Sequence, residues 1–196
     1  MSNILLMNAG SSSVKWKLFE LETEKVVAKG LVERMLMPGS KFEIKYGEQK
    51  FQETYDNLTY ERACELIIEK IQEKGITSLE KIACVGHRVV AGGEKFRGAA
   101  KIDAEKLEEI IEMSVSCSVR TIRWKQKYIE LMQQVMPDTP QYAVLTARFS
   151  RTMTGDECHF QSALSNLRKN TESDAMANTA SATAIFASLC RAFGKA

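Results

Sequence analysis

"NILLMNAGSSSVKWKLFE", residues 3–20, decides how the chain is read. An apolar run, Ile4 to Met7, breaks into Asn8-Ala9-Gly10-Ser11-Ser12-Ser13 and resumes with alternating Val14, Trp16 and Leu18. The first run predicts a short buried strand over Asn3–Met7. The second predicts a strand over Val14–Leu21, with Lys15, Lys17 and Phe19 on its other face. The small residues between them leave two readings open. One is a hairpin turn with solvated serines. The other is a loop that holds phosphate, because a turn of small residues exposes backbone N–H groups in a concave nest. Gly10 permits positive φ and close approach. Ser11, Ser12 and Ser13 add hydroxyl donors, and Lys15 is a point charge within reach. Asn8, at the end of the first strand, offers a carbonyl suited to hydrated Mg²⁺. The stretch is not a Walker A loop, since G-x-x-x-x-G-K-[ST] is absent and a strand, not a helix, follows.

Working outward, Lys25–Val32 and Lys41–Tyr46 predict two more strands, the latter alternating Phe42, Ile44 and Tyr46, with a turn at Met37-Pro38-Gly39-Ser40. Then the period changes. Tyr60, Ala63, Cys64, Ile67, Ile68 and Ile71 recur at helical spacing, with Thr59 as N-cap and Gly75 as the residue past the C-cap. Lys81–Val90 reads as a strand running into Gly92-Gly93. Asp103 caps a helix carrying Leu107, Ile110 and Ile111. Tyr128–Met136 reads as a helix closed by Pro137, and Gln141–Leu145 as a strand. A meander of strands followed by alternating helix and strand predicts an α/β fold with a mixed sheet. Residues 166–196 differ, being rich in Ala, Ser and Thr with weak amphipathicity.

Composition narrows the function classes. The chain has 196 residues, 44% hydrophobic and 27% charged, enough for one good core. Lys+Arg number 27 against Asp+Glu 25, so nothing marks a nucleic-acid face or a membrane-attracting patch. No apolar run approaches the roughly 20 residues that cross a bilayer, and the N-terminus lacks the pattern of a signal peptide. Cys64, Cys84, Cys117, Cys158 and Cys190 are odd in number and never spaced C-x-x-C. That argues against a zinc site or disulfide framework and for a reduced, cytoplasmic protein.

A second stretch carries chemistry: "VGHRVVAGGEKF", Val85–Phe96. Arg88, at a strand end, offers a fork that grips carboxylate or phosphate, unless it is a surface ion-pair residue. His87 reads best as a hydrogen-bonded packing residue. "NAGSSSVK" followed by "GHRVVAGGE" resembles the acetate kinase family, which includes propionate kinases. "KYIELMQQVMPDTPQYAVL", residues 127–145, and "FSRTMT", residues 149–154, look like its later segments in the same order. The resemblance covers residues 2–160 and is weaker near 114–126.

The resemblance implies a ribonuclease H-like fold of the actin, hexokinase and Hsp70 type, with residues 1–160 as an N-terminal domain and 161–196 as an unmatched tail. Family members carry a second domain, so a homodimer would form through that C-terminal part. The implied reaction is reversible transfer of the γ-phosphoryl of ATP to acetate or another short-chain carboxylate, with Mg²⁺. By motif position, Asn8 would bear on Mg²⁺, and Lys15, Gly10 and Ser11–Ser13 on phosphate. Arg88 would hold the carboxylate or the transferring phosphoryl. The implied partners are a small carboxylate and a nucleotide.

The chain departs from the family at polar positions. The usual "HRVVHGGE" has Ala91 in place of its second histidine. "SVRTIR", Ser118–Arg123, falls where the family has "APLHNP", placing Thr121 at a histidine position. "LTARFSRTMT", Leu145–Thr154, aligns with "FDTAFHQTMP". Thr146 thus stands at the catalytic aspartate position and Ser150 at a histidine position, with Arg148 nearby. A hydroxyl supplies neither the charge nor the basicity of a carboxylate. Two functions therefore stay open: a phosphotransferase chain, or a non-catalytic phosphate- or nucleotide-binding module or partner subunit of the same fold.

Overall fold

The computed structural model describes residues 2–89, 98–103, 105–109 and 121–145. The opening stretch folds as expected. β1 (Asn3–Ala9) and β2 (Ser13–Glu20) pair antiparallel, from Asn3 opposite Glu20 to Ala9 opposite Val14. β3 (Val26–Glu33), β4 (Ser40–Tyr46) and β5 (Gln49–Tyr55) continue the meander. After α1 (Tyr60–Glu73), β6 (Ile82–Val89) returns to lie parallel to β1. β7 (Gly98–Lys101), α2 (Thr121–Val135) and β8 (Gln141–Leu145) follow. β8 is parallel to β6, and β7 closes the edge antiparallel to β8. The result is one mixed sheet in the order β5-β4-β3-β2-β1-β6-β8-β7.

Strand alternation divides the sheet into two unlike faces. One face buries Leu5, Met7, Val14, Trp16, Leu18, Ala28, Val32, Phe42 and Ile44 against the apolar stripe of α1 and against Tyr128, Leu131 and Met132 of α2. Trp16 lies flat over Gly30 on the neighbouring strand. A Cβ at Gly30 would come within 2.4 Å of the indole, so glycine there is a packing requirement. The other face carries a smaller apolar cluster, Ile4, Leu6, Phe19, Cys84 and Val144. Beside it lie the polar side chains that alternate with the core residues.

The local signals for α1 hold. The Thr59 hydroxyl accepts the Arg62 N–H, and Gly75 takes φ +63° just past the helix, where glycine avoids the left-handed penalty. Asp103 Oδ1 accepts the Lys106 N–H at 2.8 Å, capping the helical residues 105–109. Ile110 and Ile111 lie outside the described residues, as do Gly92 and Gly93.

Two strands were not expected from the sequence. β5 reads "QKFQETY", with only Phe51 and Tyr55 contributing apolar surface at the sheet edge. β7 reads "GAAK", too short and small-residued to alternate visibly. α2 also begins seven residues before the expected Tyr128. Its first turns read "TIRWKQK", where charge masks the apolar period.

Among the described residues no helix is long and apolar enough to cross a membrane. Cys64 and Cys84 are buried, and burial pushes the Cys64 thiol up to about 12. Such a thiol is inert packing.

Candidate functional site

β1, β6 and β8 run parallel, so their carboxyl ends gather on one edge of the sheet. In open α/β sheets that edge is where ligands bind. The register brings the sequence-singled residues together there. Asn8 pairs with Lys15 across β1 and β2. Met7 pairs with His87 across β1 and β6, so Asn8 and Arg88, the next residue on each parallel strand, reach the same level. By alternation Asn8, Lys15 and Arg88 share the face opposite the helices. Arg88 in turn pairs with Val144 of β8, and Val89 with Leu145. Thr146, next in sequence, lies outside the described residues, as do Ala91, Thr121's side chain, Arg148 and Ser150.

The turn between β1 and β2 is a tight hairpin, held by the Gly10 N–H donating to the Ser13 carbonyl at 2.8 Å. This corrects one detail of the expected nest: the Gly10 N–H is spent inside the turn. Gly10 also does not use positive φ. Among the described residues the glycines that do are Gly39, Gly47 and Gly75. A Cβ at Gly10 would meet the Ser13 carbonyl oxygen at 3.4 Å, an ordinary contact.

Two outside donors hold the hairpin from the helix side. The Tyr60 hydroxyl donates to the Ser11 carbonyl at 2.8 Å. The Met35 N–H donates to the Ser12 carbonyl at 3.2 Å. Ser11, Ser12 and Lys15 are exposed, while Asn8, Ser13 and Arg88 are half-buried.

Burial lowers the pKa of the Arg88 guanidinium from its ordinary value. Arginine stays charged regardless. A partly desolvated cation attracts an anion more strongly than an exposed one, because less water screens the pair.

His87 behaves as a packing residue. It is buried, and its Nε2 lies 2.7 Å from Gln141 Oε1. Gln141 Nε2 donates to the Thr139 carbonyl, which orients the amide and makes His87 Nε2–H the donor. Burial drives the imidazole pKa down to about 4, so the ring is neutral at pH 7.

For Mg²⁺ the donor chemistry is sparse but suitable. Among the described residues no three His, Cys, Asp or Glu converge on one point. Mg²⁺ that arrives on phosphate oxygens keeps most of its waters and needs only one or two protein oxygens. The Asn8 side-chain carbonyl, beside Lys15 at the strand end, fits that requirement.

Tyr60 and Met35 escaped the sequence reading. Tyr60 scored as one more apolar position in the α1 stripe, and the Met35 contribution is a main-chain group that no side-chain pattern reveals.

The sequence model of the Acetokinase family matches residues 3–173. Acetate kinase 1 of Latilactobacillus sakei subsp. sakei (strain 23K) is 40% identical over 155 residues, which is 78% of this chain and 39% of that protein. The acetate kinase of Bacillus mycoides (strain KBAB4) is 40% identical over 154 residues, covering 78% of this chain and 38% of that protein. Among solved structures, a propionate kinase from Francisella tularensis subsp. tularensis SCHU S4 matches with a TM-score of 0.69 at 34% identity. That match covers 74% of this chain and 37% of that chain. Porphyromonas gingivalis acetate kinase matches with a TM-score of 0.70 at 28% identity, covering 81% and 43%. The chain therefore spans about two fifths of the length of the relatives it matches.

A mixed sheet with flanking helices and these structural neighbours defines an α/β protein of the actin, hexokinase and Hsp70 type. Within that class, the chain belongs to the Acetokinase family.

Proposed function

We propose that the chain supplies the phosphate-binding wall of an acetokinase-family phosphotransferase, which moves the γ-phosphoryl of ATP reversibly to acetate or another short-chain carboxylate. One observation carries this reading: the hairpin residues Asn8 and Lys15 and the sequence-distant Arg88 stand level on one face at the carboxyl ends of β1 and β6. Lys15 and the Gly10–Ser13 turn hold the nucleotide phosphates, and Arg88 grips the carboxylate or the transferring phosphoryl with a two-pronged fork. Asn8 contributes an oxygen to Mg²⁺, which when bound neutralises phosphate charge. Catalysis in this class is positioning and charge neutralisation, so fixed cations on a rigid sheet are the useful part. Residues 1–160 would act as the N-terminal domain, with 161–196 as a tail. The remaining length of the relatives would supply the rest of the cleft and the contacts of a homodimer. A cytoplasmic setting suits the scattered cysteines.

Thr146 favours a second reading, because no carboxylate stands at the family's aspartate position. On that reading the chain binds ATP·Mg²⁺ without transferring phosphoryl. Calorimetric titration of ATP·Mg²⁺ into the chain, and into Lys15→Ala and Arg88→Ala, tests both. Binding that either variant weakens at least tenfold is the expected result, and wild-type affinity in both variants overturns the wall. Acyl phosphate formation with acetate then separates the readings: turnover above blank selects the first, binding without turnover the second.

A further inference from the structure

We infer that Tyr60 is a positioning residue for the phosphate turn, its hydroxyl setting the direction of the Ser12 N–H toward the bound anion. The Ser11 carbonyl and the Ser12 N–H belong to one peptide unit, and the described residues contain no cis peptide bond. In a trans peptide the C=O and N–H point in opposite directions. Tyr60 draws the Ser11 carbonyl toward the helix layer through its 2.8 Å hydrogen bond. The Ser12 N–H is thereby turned away from that layer, toward the side of the sheet that carries Asn8, Lys15 and Arg88. The Met35 N–H holds the carbonyl of the next peptide unit, that of Ser12, from the same side, so the two successive units of the turn are each held by an outside donor.

Tyr60 is itself held in place, which distinguishes a clamp from a chance surface contact. Its ring is buried and meets the Tyr128 ring edge-on, centroids 5.6 Å apart. Lys127 lies 5.2 Å from the Tyr60 centroid and pairs with Glu61 at 2.9 Å. The Tyr128 hydroxyl donates to the Met35 sulfur at 3.2 Å, joining both braces to α2. The β3–β4 loop that carries Met35 is anchored in turn. The Ser40 hydroxyl accepts the Leu58 N–H at 3.0 Å, and the Leu36 N–H donates to the Leu58 carbonyl at 2.9 Å. Ser11 and Ser12 are exposed, so without these braces the turn would sample several peptide orientations, and ordering it on binding would cost affinity.

This role rests on the phosphate-turn reading, and the test separates the two. Tyr60→Phe keeps the ring and its Tyr128 contact and removes only the hydroxyl. The full chain and the variants Tyr60→Phe and Lys15→Ala are titrated with ATP·Mg²⁺ by calorimetry, and the ¹⁵N-labelled Ser12 amide is followed by NMR. The expected result is roughly three- to tenfold weaker binding in Tyr60→Phe, the size of one neutral hydrogen bond. Its Ser12 amide should be displaced before ligand is added and respond less when it is. A thermal melt checks that the variant is folded. Wild-type affinity and an unchanged Ser12 response in Tyr60→Phe, with binding still lost in Lys15→Ala, overturn the clamp and leave the turn reading intact. If the unmodified chain does not bind, or Lys15→Ala binds as well as it does, the turn reading fails and the clamp fails with it.

Discussion

The two faces of the sheet are built from the same strands and do different work. On the helix side, β2 offers Val14, Trp16 and Leu18 to a continuous core. On the other side it offers Lys15 and Lys17, one position away each time. Alternation lets a single strand contribute stability and site chemistry without compromise between them. The faces also differ electrostatically. Lys17, Lys29, Lys45 and Lys50 stand in register across β2, β3, β4 and β5. Glu43 pairs with Lys45 at 3.0 Å and with Lys50 at 2.9 Å. Lys17 is left with its pKa lowered by burial and then by Lys29. Like charges directly opposite weaken a sheet, so this face spends some stability where the core face accumulates it.

That division can be broken by substitution, one face at a time. Trp16→Ala removes the largest buried side chain of the core face and should cost about 3–5 kcal/mol in a urea titration. Loss of ATP·Mg²⁺ binding in a still-folded Trp16→Ala chain, with little change in stability, would show that the faces are not separate.

His87, packed on the core side, should make stability depend on pH. Its folded pKa of about 4 lies below the ordinary 6.5, so the unfolded chain takes up the proton first as pH falls. The stability is fully present above about pH 6.5 and is lost as pH drops toward 4, by about 3 kcal/mol. Chain and His87→Gln should therefore differ in the slope of urea midpoint against pH within that window. Parallel slopes would remove His87 as the cause.

Gly30→Ala should cost about 1–3 kcal/mol, because the new methyl meets the Trp16 ring and the indole must move. A neutral result would mean that the ring has space to shift. On the opposite face, Lys15→Ala should leave the unfolding midpoint within about 0.5 kcal/mol of the unmodified chain. The same variant should weaken ATP·Mg²⁺ binding at least tenfold. Lys29→Glu should stabilise by several tenths to about 1 kcal/mol, since it turns repulsion from Lys17 and Lys45 into attraction. The gain should shrink in high salt as the charges are screened. A loss instead of a gain would show that the lysine row is not repulsive.

Much of this architecture was legible because its signals are local. The hairpin of β1 and β2 follows from an apolar run, a run of small residues and strict alternation. The Thr59 cap and Gly75 stop act within one turn of helix and need no distant partner. Where the signal is not local, reading failed. β5 and β7 are edge strands whose pairing comes from β4 and β8, not from their own apolar content. Gly10 looked like a positive-φ residue by type, yet the hairpin closes without it. Tyr60 looked like core by position, and most of it is core. Only its hydroxyl, reaching back to Ser11, belongs to the site.

By itself, then, the sequence determined the elements with strong local signals, the face each side chain takes within its strand, and the family likeness of the "NAGSSSVK" and "GHRVVAGGE" stretches. Tertiary structure alone decided which strands became neighbours. It set β1 between β2 and β6, and so placed Asn8 level with both Lys15 and Arg88. It also carried Tyr60 and Met35 to consecutive carbonyls of the turn. The physical reason is range: dihedral preference and periodicity act over a few residues. Register between distant strands is settled only when the whole core is buried and every ladder hydrogen bond has found its partner.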